Sequence, residues 1–413
     1  MHEIAGGVCA PKGFRAGGVR CGIKASSAKR DLALILADAP CTAAAVFTTN
    51  RVKAASVLVS REHLARGICR AVLANSGNAN ACTGAEGMAA ARRMAALAGE
   101  TFGFPPEQAA VASTGVIGVP LPIAAVEGGM DALAASLTAD AAGHDAALEA
   151  IMTTDTRRKG GAVETEAGGK AVRIGGMVKG SGMIHPNMAT MLGFFTTDAA
   201  VSQELLDRAL RRSVARSFNR LTVDGDTSTN DMVVIMASGA AGNPLIEQEG
   251  GGYEAFAESL EALCVKLARD MARDGEGASR LITVTVRGAV DEAAAETLAK
   301  SAASSSLVKT ACFGADANWG RVLCALGYSG VPFDPETVTV RFASAAGEVL
   351  VCRNGAAVPF SEEKARKILS TGEIAIQVDL EDSSGGPAGP GEALAWGCDL
   401  TYEYVRINGD YRT

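Results

Sequence analysis

Short apolar runs separated by glycine-rich turns dominate the first half of the chain. Residues 32–36, 43–47, 56–59, 71–74 and 109–112 read as strands of a layered core. Residues 87–98 are alanine-rich, with Met88, Met94 and Leu97 near helical spacing, and predict a helix. Residues 133–151 predict a second helical region interrupted near Gly143, and residues 171–174 a strand.

The second half repeats the pattern in type. Ser202 is a good N-cap for a helix over 203–218, where Leu205, Leu206, Leu210 and Val214 form an apolar stripe. A strand follows at 232–236, and a helix over 254–271 places Phe256, Leu260, Leu263, Leu267 and Met271 on one face. Asp274-Gly275-Glu276-Gly277 reads as its glycine C-cap. Residues 281–286 alternate as a strand, and 291–303 are helical. Strands are predicted at 338–342, 349–352, 374–380 and 400–407. Ser361 caps a short helix with Glu362 and Glu363 in its first turn. Residues 382–391 are rich in Gly, Ser and Pro and read as a mobile loop. This mixed order lacks the regular βαβ alternation of a doubly wound fold, so periodicity supports an α/β or α+β class and no finer choice.

Composition narrows the function classes. A chain of 413 residues exceeds one small core and implies two or more core-forming units. A net charge of −7 without a Lys/Arg stripe excludes a nucleic-acid partner. The ten cysteines include no C-x-x-C pair, and most sit among small or apolar neighbours, which fits a reducing cytoplasm rather than a disulfide scaffold. No signal peptide is expected from the first residues, and no apolar run reaches the ~18 residues of a membrane span.

Several familiar motifs fail on inspection. Val178-Lys179-Gly180-Ser181 carries phosphate-loop residues in the wrong order. The acidic run 224–231 begins like a calcium loop, but its sixth position is Thr229 and its twelfth Ile235. With four histidines, a His-based triad or zinc site is not expected, and no metal is assigned.

The richest stretch is Lys179-Gly180-Ser181-Gly182-Met183-Ile184-His185-Pro186-Asn187-Met188-Ala189-Thr190, followed by the apolar run 191–195. Small and turn-forming residues lead straight into Thr190. On local sequence alone the better reading is a loop ending in an ordinary buried strand. If the Ala189-Thr190 bond is cut, Thr190 gains a free α-amine beside its hydroxyl. That amine, with an ordinary pKa of roughly 7.7–8.0, can serve as the base that activates the hydroxyl. Ser113-Thr114-Gly115 ends a strand and reads either as a plain turn or as a set of oxyanion donors.

The stretch 179–192 resembles the self-cleavage motif of the ornithine acetyltransferase (glutamate N-acetyltransferase) family, and the likeness extends over essentially the whole chain. The segments 11–14, 75–84, 224–231 and 309–321 also match family signatures, and their dense polar and small residues suggest walls of the site. The resemblance implies a four-layer α-β-β-α sandwich with a smaller C-terminal α/β region. It implies self-cleavage at Ala189-Thr190 into fragments 1–189 and 190–413, with 190–330 completing the core and 331–413 forming the smaller region. Thr190 would be the nucleophile, Thr114 and Gly115 the oxyanion hole, and Thr153, Lys179, Thr190, Glu276, Asn408 and Thr413 the substrate contacts.

The implied reaction moves acetyl from N2-acetylornithine to glutamate in arginine biosynthesis, by a ping-pong route through an acetyl-threonine. No metal or bound cofactor is implied. Acetyl-CoA as a second donor is left open, and the two fragments are expected as a heterotetramer of two of each. Two other readings stay open. One is a self-processing amidase or aminopeptidase with water as acceptor; the other is an uncleaved, non-catalytic binding protein.

Overall fold

The computed structural model describes residues 1–24, 28–185, 191–382 and 384–410. Its first nine strands are β1 (His2–Ile4), β2 (Phe14–Val19), β3 (Leu32–Phe47), β4 (Ile68–Asn78), β5 (Ala109–Val116), β6 (Lys159–Ala167), β7 (Lys170–Lys179), β8 (Leu192–Thr197) and β9 (Met232–Ala237). They join in the order β1-β6-β7-β8-β9-β3-β4-β5, with β2 also paired to β3. The helices of this part are α1 (Ala55–His63), α2 (Gly84–Phe102), α3 (Ile123–Ala135), α4 (Ala141–Ile151), α5 (Gln203–Arg216) and α6 (Gly251–Arg273).

The long strand β3 folds this sheet on itself. Its first half pairs with β2 and β4, the register shifts between Leu36 and Cys41, and its second half pairs with β9. Side chains alternate across a strand, so each face of β3 feeds a different core. Leu32, Leu34 and Leu36 pack with Met94 of α2 and Val126 of α3. Ala33 and Ile35 face Phe194 of β8 and Met232, Val234 and Met236 of β9. On the far side, Phe195, Val233 and Ile235 meet Leu206 and Leu210 of α5 and Leu260 and Leu267 of α6. Three stacked apolar layers separate four structural layers, an α-β-β-α sandwich.

A second sheet contains β10 (Leu281–Ala289), β11 (Val338–Ser344), β12 (Gly347–Arg353), β13 (Ala356–Ala357), β14 (Glu373–Leu380) and β15 (Gly391–Cys398), in the order β13-β12-β11-β14-β10-β15. It is covered by α7 (Glu292–Ser304), α8 (Ser306–Phe313), α9 (Trp319–Gly327) and α10 (Glu362–Leu369), and α11 (Tyr402–Asp410) follows it. Because β10 lies inside this sheet, the smaller region expected from residue 331 shares its sheet with residues upstream to Leu281. Leu281, Trp396 and Cys398 join the apolar layer of α5 and α6 and so dock the second sheet on the first.

Four local expectations change. Residues 56–59 are not a strand but part of α1, because a short apolar run fits a buried helix as well as a strand. Residues 400–407 are not a strand: 402–407 fall in α11, and 400–401 precede it. The Thr401 hydroxyl accepts the Glu403 N–H at 3.1 Å and turns the chain into the helix, and the strand itself is β15. The helical region 133–151 breaks at 136–140, not at Gly143. Asp140 caps α4 from outside, and Gly143 lies within that helix, where a Cβ would sit 2.4 Å from the Ala16 carbonyl oxygen and so only glycine fits. Helix α6 ends on Asp274 rather than on a glycine.

Candidate active site

A cavity of about 260 Å³ lies where β5 and β7 end and β8 begins, between the two β layers and the turn after α6. Its wall includes Thr114, Gly115, Thr153, Lys179, Glu276 and Asn408, six of the residues expected at a substrate site, drawn from five separate stretches of sequence. Ala189, Thr190 and Thr413 lie outside the described residues. Met191, next to Thr190 in the chain, lines the cavity and is 3% exposed.

Lys179 ends β7, and its Nζ donates to Thr114 Oγ1 at 2.9 Å. The Thr114 oxygen is thereby used as an acceptor, and its own hydrogen remains to be donated into the cavity. Gly115 follows at φ +132°, and a Cβ there would lie 2.4 Å from the Gly77 carbonyl carbon, so only glycine lets β5 close on β4 at this point. Asn230 Nδ2 donates to the carbonyls of Ala79 and Ser113 at 2.6 and 2.7 Å, which fixes the strand end carrying Thr114.

A buried ion cluster anchors the opposite wall. Lys159 Nζ bridges the carboxylates of Asp155 and Asp274, with all three side chains essentially buried. Asp155 also accepts the N–H of Thr153 at 3.0 Å and of Gly180 at 2.8 Å, which holds both cavity segments to one carboxylate. Burial alone would raise the Asp155 carboxyl, but the Lys159 and Lys179 ammoniums and the donated N–H groups hold it at about 2. Burial lowers Lys179 against the pull of Asp155 and Asp231.

Asp274 directs the chain to Glu276. The Ser181 hydroxyl donates to the Asp274 carbonyl at 2.6 Å, and the Glu276 N–H donates to the Ser181 carbonyl at 2.9 Å. Glu276 is 8% exposed, and its Oε2 accepts from Asn408 Nδ2 at 2.8 Å. Two glycines make room for this pair. A Cβ on Gly182 would stand 2.3 Å from the Glu276 carboxylate, and a Cβ on Gly277 2.6 Å from the Tyr404 nitrogen. The C-terminal helix α11 therefore approaches closely enough for Asn408 to complete the wall.

The loop 224–231 closes the remaining side. Asp224 accepts the N–H of Met183 at 2.6 Å and of Ile184 at 2.8 Å, holding Met183 at φ +54°, a conformation a bulky residue keeps only when its surroundings impose it. Tyr404 OH donates to Asp224 Oδ2 at 3.3 Å.

Of the four signature segments expected as walls, only 224–231 lines the cavity. Residues 75–84 brace it from behind through Gly77 and Ala79. The Lys12 N–H is bound to Asp198, away from the cavity. Lys309 is buried in α8, with Nζ on the Cys398 carbonyl. Polar density signals close packing as readily as a ligand wall. Sequence reasoning missed Lys159 and Tyr404; an Asp and a Lys four apart, at 155 and 159, were the available sign of an ion pair. Among the described residues, no three His, Cys, Asp or Glu side chains converge as metal ligands. No helix among them is long and apolar enough to cross a membrane.

Comparison with known proteins gives the family. The ArgJ family model matches residues 15–413. The arginine biosynthesis bifunctional protein ArgJ of Symbiobacterium thermophilum is 54% identical, covering 100% of both chains. The protein of the same name from Thermotoga neapolitana is 49% identical over 98% of this chain and 99% of the relative. The crystal structure of ornithine acetyltransferase complexed with ornithine from Mycobacterium tuberculosis is similar at 41% identity and a TM-score of 0.41. It covers 46% of this chain and 99% of that chain. With the match running from the second strand through the last helix, the chain belongs to the ArgJ family.

Proposed function

We propose that this protein is an acetyltransferase of arginine biosynthesis that moves acetyl from N2-acetylornithine to glutamate through a covalent ester on Thr190. The carrying observation is convergence: Thr114, Gly115, Thr153, Lys179, Glu276 and Asn408 share one small cavity, with Met191 on its wall. The names of relatives matched over the full chain, arginine biosynthesis bifunctional proteins, support the same reading.

In this reading the chain is cut between Ala189 and Thr190, giving fragments 1–189 and 190–413 that stay together. β7 from the first and β8 from the second share backbone hydrogen bonds, so separation would open the core. The heterotetramer of two of each belongs to the same proposal.

The Thr190 hydroxyl attacks the acetyl carbonyl while its α-amine takes the proton. Negative charge gathers on the carbonyl oxygen, where the Thr114 hydroxyl and the Gly115 N–H donate to it; one such donor supplies about 2.7–4 kcal/mol. The α-amine returns the proton to the departing nitrogen. Glu276 binds the δ-ammonium of the ornithine portion, a charged hydrogen bond of roughly 1.5–3 kcal/mol. Glutamate then attacks the ester. Acetyl-CoA would enter as an alternative donor to the same threonine.

Acetyl transfer assays on the purified protein, with N-acetylornithine or acetyl-CoA as donor and glutamate or water as acceptor, test the reading. Transfer to glutamate is expected. Release of free acetate with no acetylglutamate would instead favour an amidase.

A further inference from the structure

Asp231 lines the cavity, yet the double displacement gives it no task. Its carboxyl is 2% exposed, and Oδ2 has no hydrogen-bond partner among the described residues. Its position is fixed by backbone. Asp231 immediately precedes β9, and the Met232 N–H donates to the Met191 carbonyl at 3.0 Å, so Asp231 stands beside the start of β8. Leaving a buried carboxylate oxygen unsatisfied is unfavourable by about 1–3 kcal/mol or more, so each case calls for an explanation.

The charged and titratable groups around it are otherwise occupied. Lys179 from β7 donates to Thr114, and Asp224 accepts two backbone N–H groups. Across the cavity Glu276 accepts from Asn408, and Tyr404 donates to Asp224. Asp226 lies on the same loop, with its own carboxyl raised by burial and by Asp224. Burial pushes the Asp231 carboxyl well above the usual carboxylate range, against the Ser228 hydroxyl and the Lys179 ammonium. A cavity carboxyl held toward its acid form can give up a proton and take one back.

The proton balance of the proposed reaction, on which this inference rests, leaves a matching gap. The Thr190 α-amine moves one proton from the hydroxyl to the departing nitrogen, so the first product leaves as an uncharged amine. The acceptor arrives as an ammonium and must lose a proton before its nitrogen can attack. We propose that Asp231 is a catalytic proton carrier between the two amines. Its acid form gives a proton to the outgoing amine and becomes a carboxylate. That carboxylate then takes a proton from the incoming ammonium and is an acid again. The two transfers cancel over one turnover, and no external base is required.

The test compares acceptors on Asp231→Asn, which keeps the shape and removes the titration. Acetyl transfer from N-acetylornithine is measured to glutamate and to hydroxylamine, whose nitrogen is uncharged at neutral pH. Transfer to glutamate should fall about 100-fold or more in kcat with KM little changed. It should recover as pH rises and glutamate deprotonates in solution. Transfer to hydroxylamine should fall far less than transfer to glutamate, because the outgoing amine leaves uncharged and can take its proton from solvent, and Asp231→Glu should restore part of the glutamate reaction. Equal losses with both acceptors, or an undiminished glutamate reaction, overturn the role. Wild-type protein that transfers acetyl to neither acceptor overturns the acetyltransferase reading and this proposal with it.

Discussion

The Lys179 ammonium donates to the Thr114 hydroxyl at 2.9 Å, so a cation sits directly behind the proposed oxyanion donor. This arrangement polarises the Thr114 O–H and aims its hydrogen into the cavity. Thr114→Ala should lower kcat by about 10²–10³-fold with KM little changed, because the charge it meets develops only in the transition state. Lys179→Met should also lower kcat. The double variant should lose less than the product of the two effects, as expected when one residue acts through the other. Steady-state kinetics of the four proteins decide this; independent multiplication of the losses would separate Lys179 from Thr114.

Glu276 and Asn408 form the proposed ammonium site, 2.8 Å apart. Glu276→Gln should weaken use of N-acetylornithine by roughly 10-fold or more in kcat/KM, in line with losing a charged hydrogen bond. Asn408→Ala should cost less. Gly182→Ala is the sharper probe, since its methyl would be driven into the Glu276 carboxylate. It should impair substrate use with the chain still folded, read as a raised KM beside an unchanged far-UV spectrum.

The Lys159 bridge is expected to be structural. Lys159→Met leaves Asp155 and Asp274 buried without their shared cation, which should destabilise the fold by about 3–5 kcal/mol. The pH dependence follows from Asp155, held at about 2 in the fold against an ordinary value of about 3.9. A depressed carboxyl stabilises the fold above its unfolded value, and that contribution is lost as pH falls through the folded one. The stability gap between wild type and Asp155→Asn, measured by urea unfolding, should therefore shrink between about pH 4 and pH 2. A gap that stays constant over that window would exclude the ion cluster as its source.

Asp231 carries the opposite sign. Its raised carboxyl binds a proton more tightly in the fold than in the unfolded chain, so stability is lost as pH rises above the unfolded value of about 3.9. Asp231→Asn should accordingly melt higher than wild type at pH 7, and the difference should vanish near pH 4. A lower melting temperature at pH 7 would mean the carboxylate supports the fold.

Periodicity revealed most of the sheet and helix positions, because Leu34, Val234 and Leu260 lie in elements whose buried faces repeat at strand or helix spacing. It did not reveal the folding of the sheet at β3, where two apolar runs read as separate strands are one strand whose partners change past Leu36. Nor could it separate α1 from a strand over four apolar residues. Thr114, Lys179 and Glu276 were found through family likeness, since each has an ordinary local role as turn, surface cation or helix terminus. The ion cluster and Asp231 stayed hidden for a physical reason. Their character comes from burial and from partners far away in sequence, such as Asp155 with Asp274.

The central claim is that a threonine exposed by self-cleavage carries the acetyl group, and intact-mass measurement tests it most directly. Scaling 42.1 kDa by 189 of 413 residues gives expected fragments of about 19 and 23 kDa, copurifying and separated under denaturing conditions. After brief mixing with N-acetylornithine alone, the larger fragment should gain the mass of one acetyl group and lose it on addition of glutamate. Thr190→Ala should remain a single uncut chain with no such gain. A full-length wild-type chain that transfers acetyl to glutamate without cleavage, or a cleaved one that never carries the group, would contradict the account.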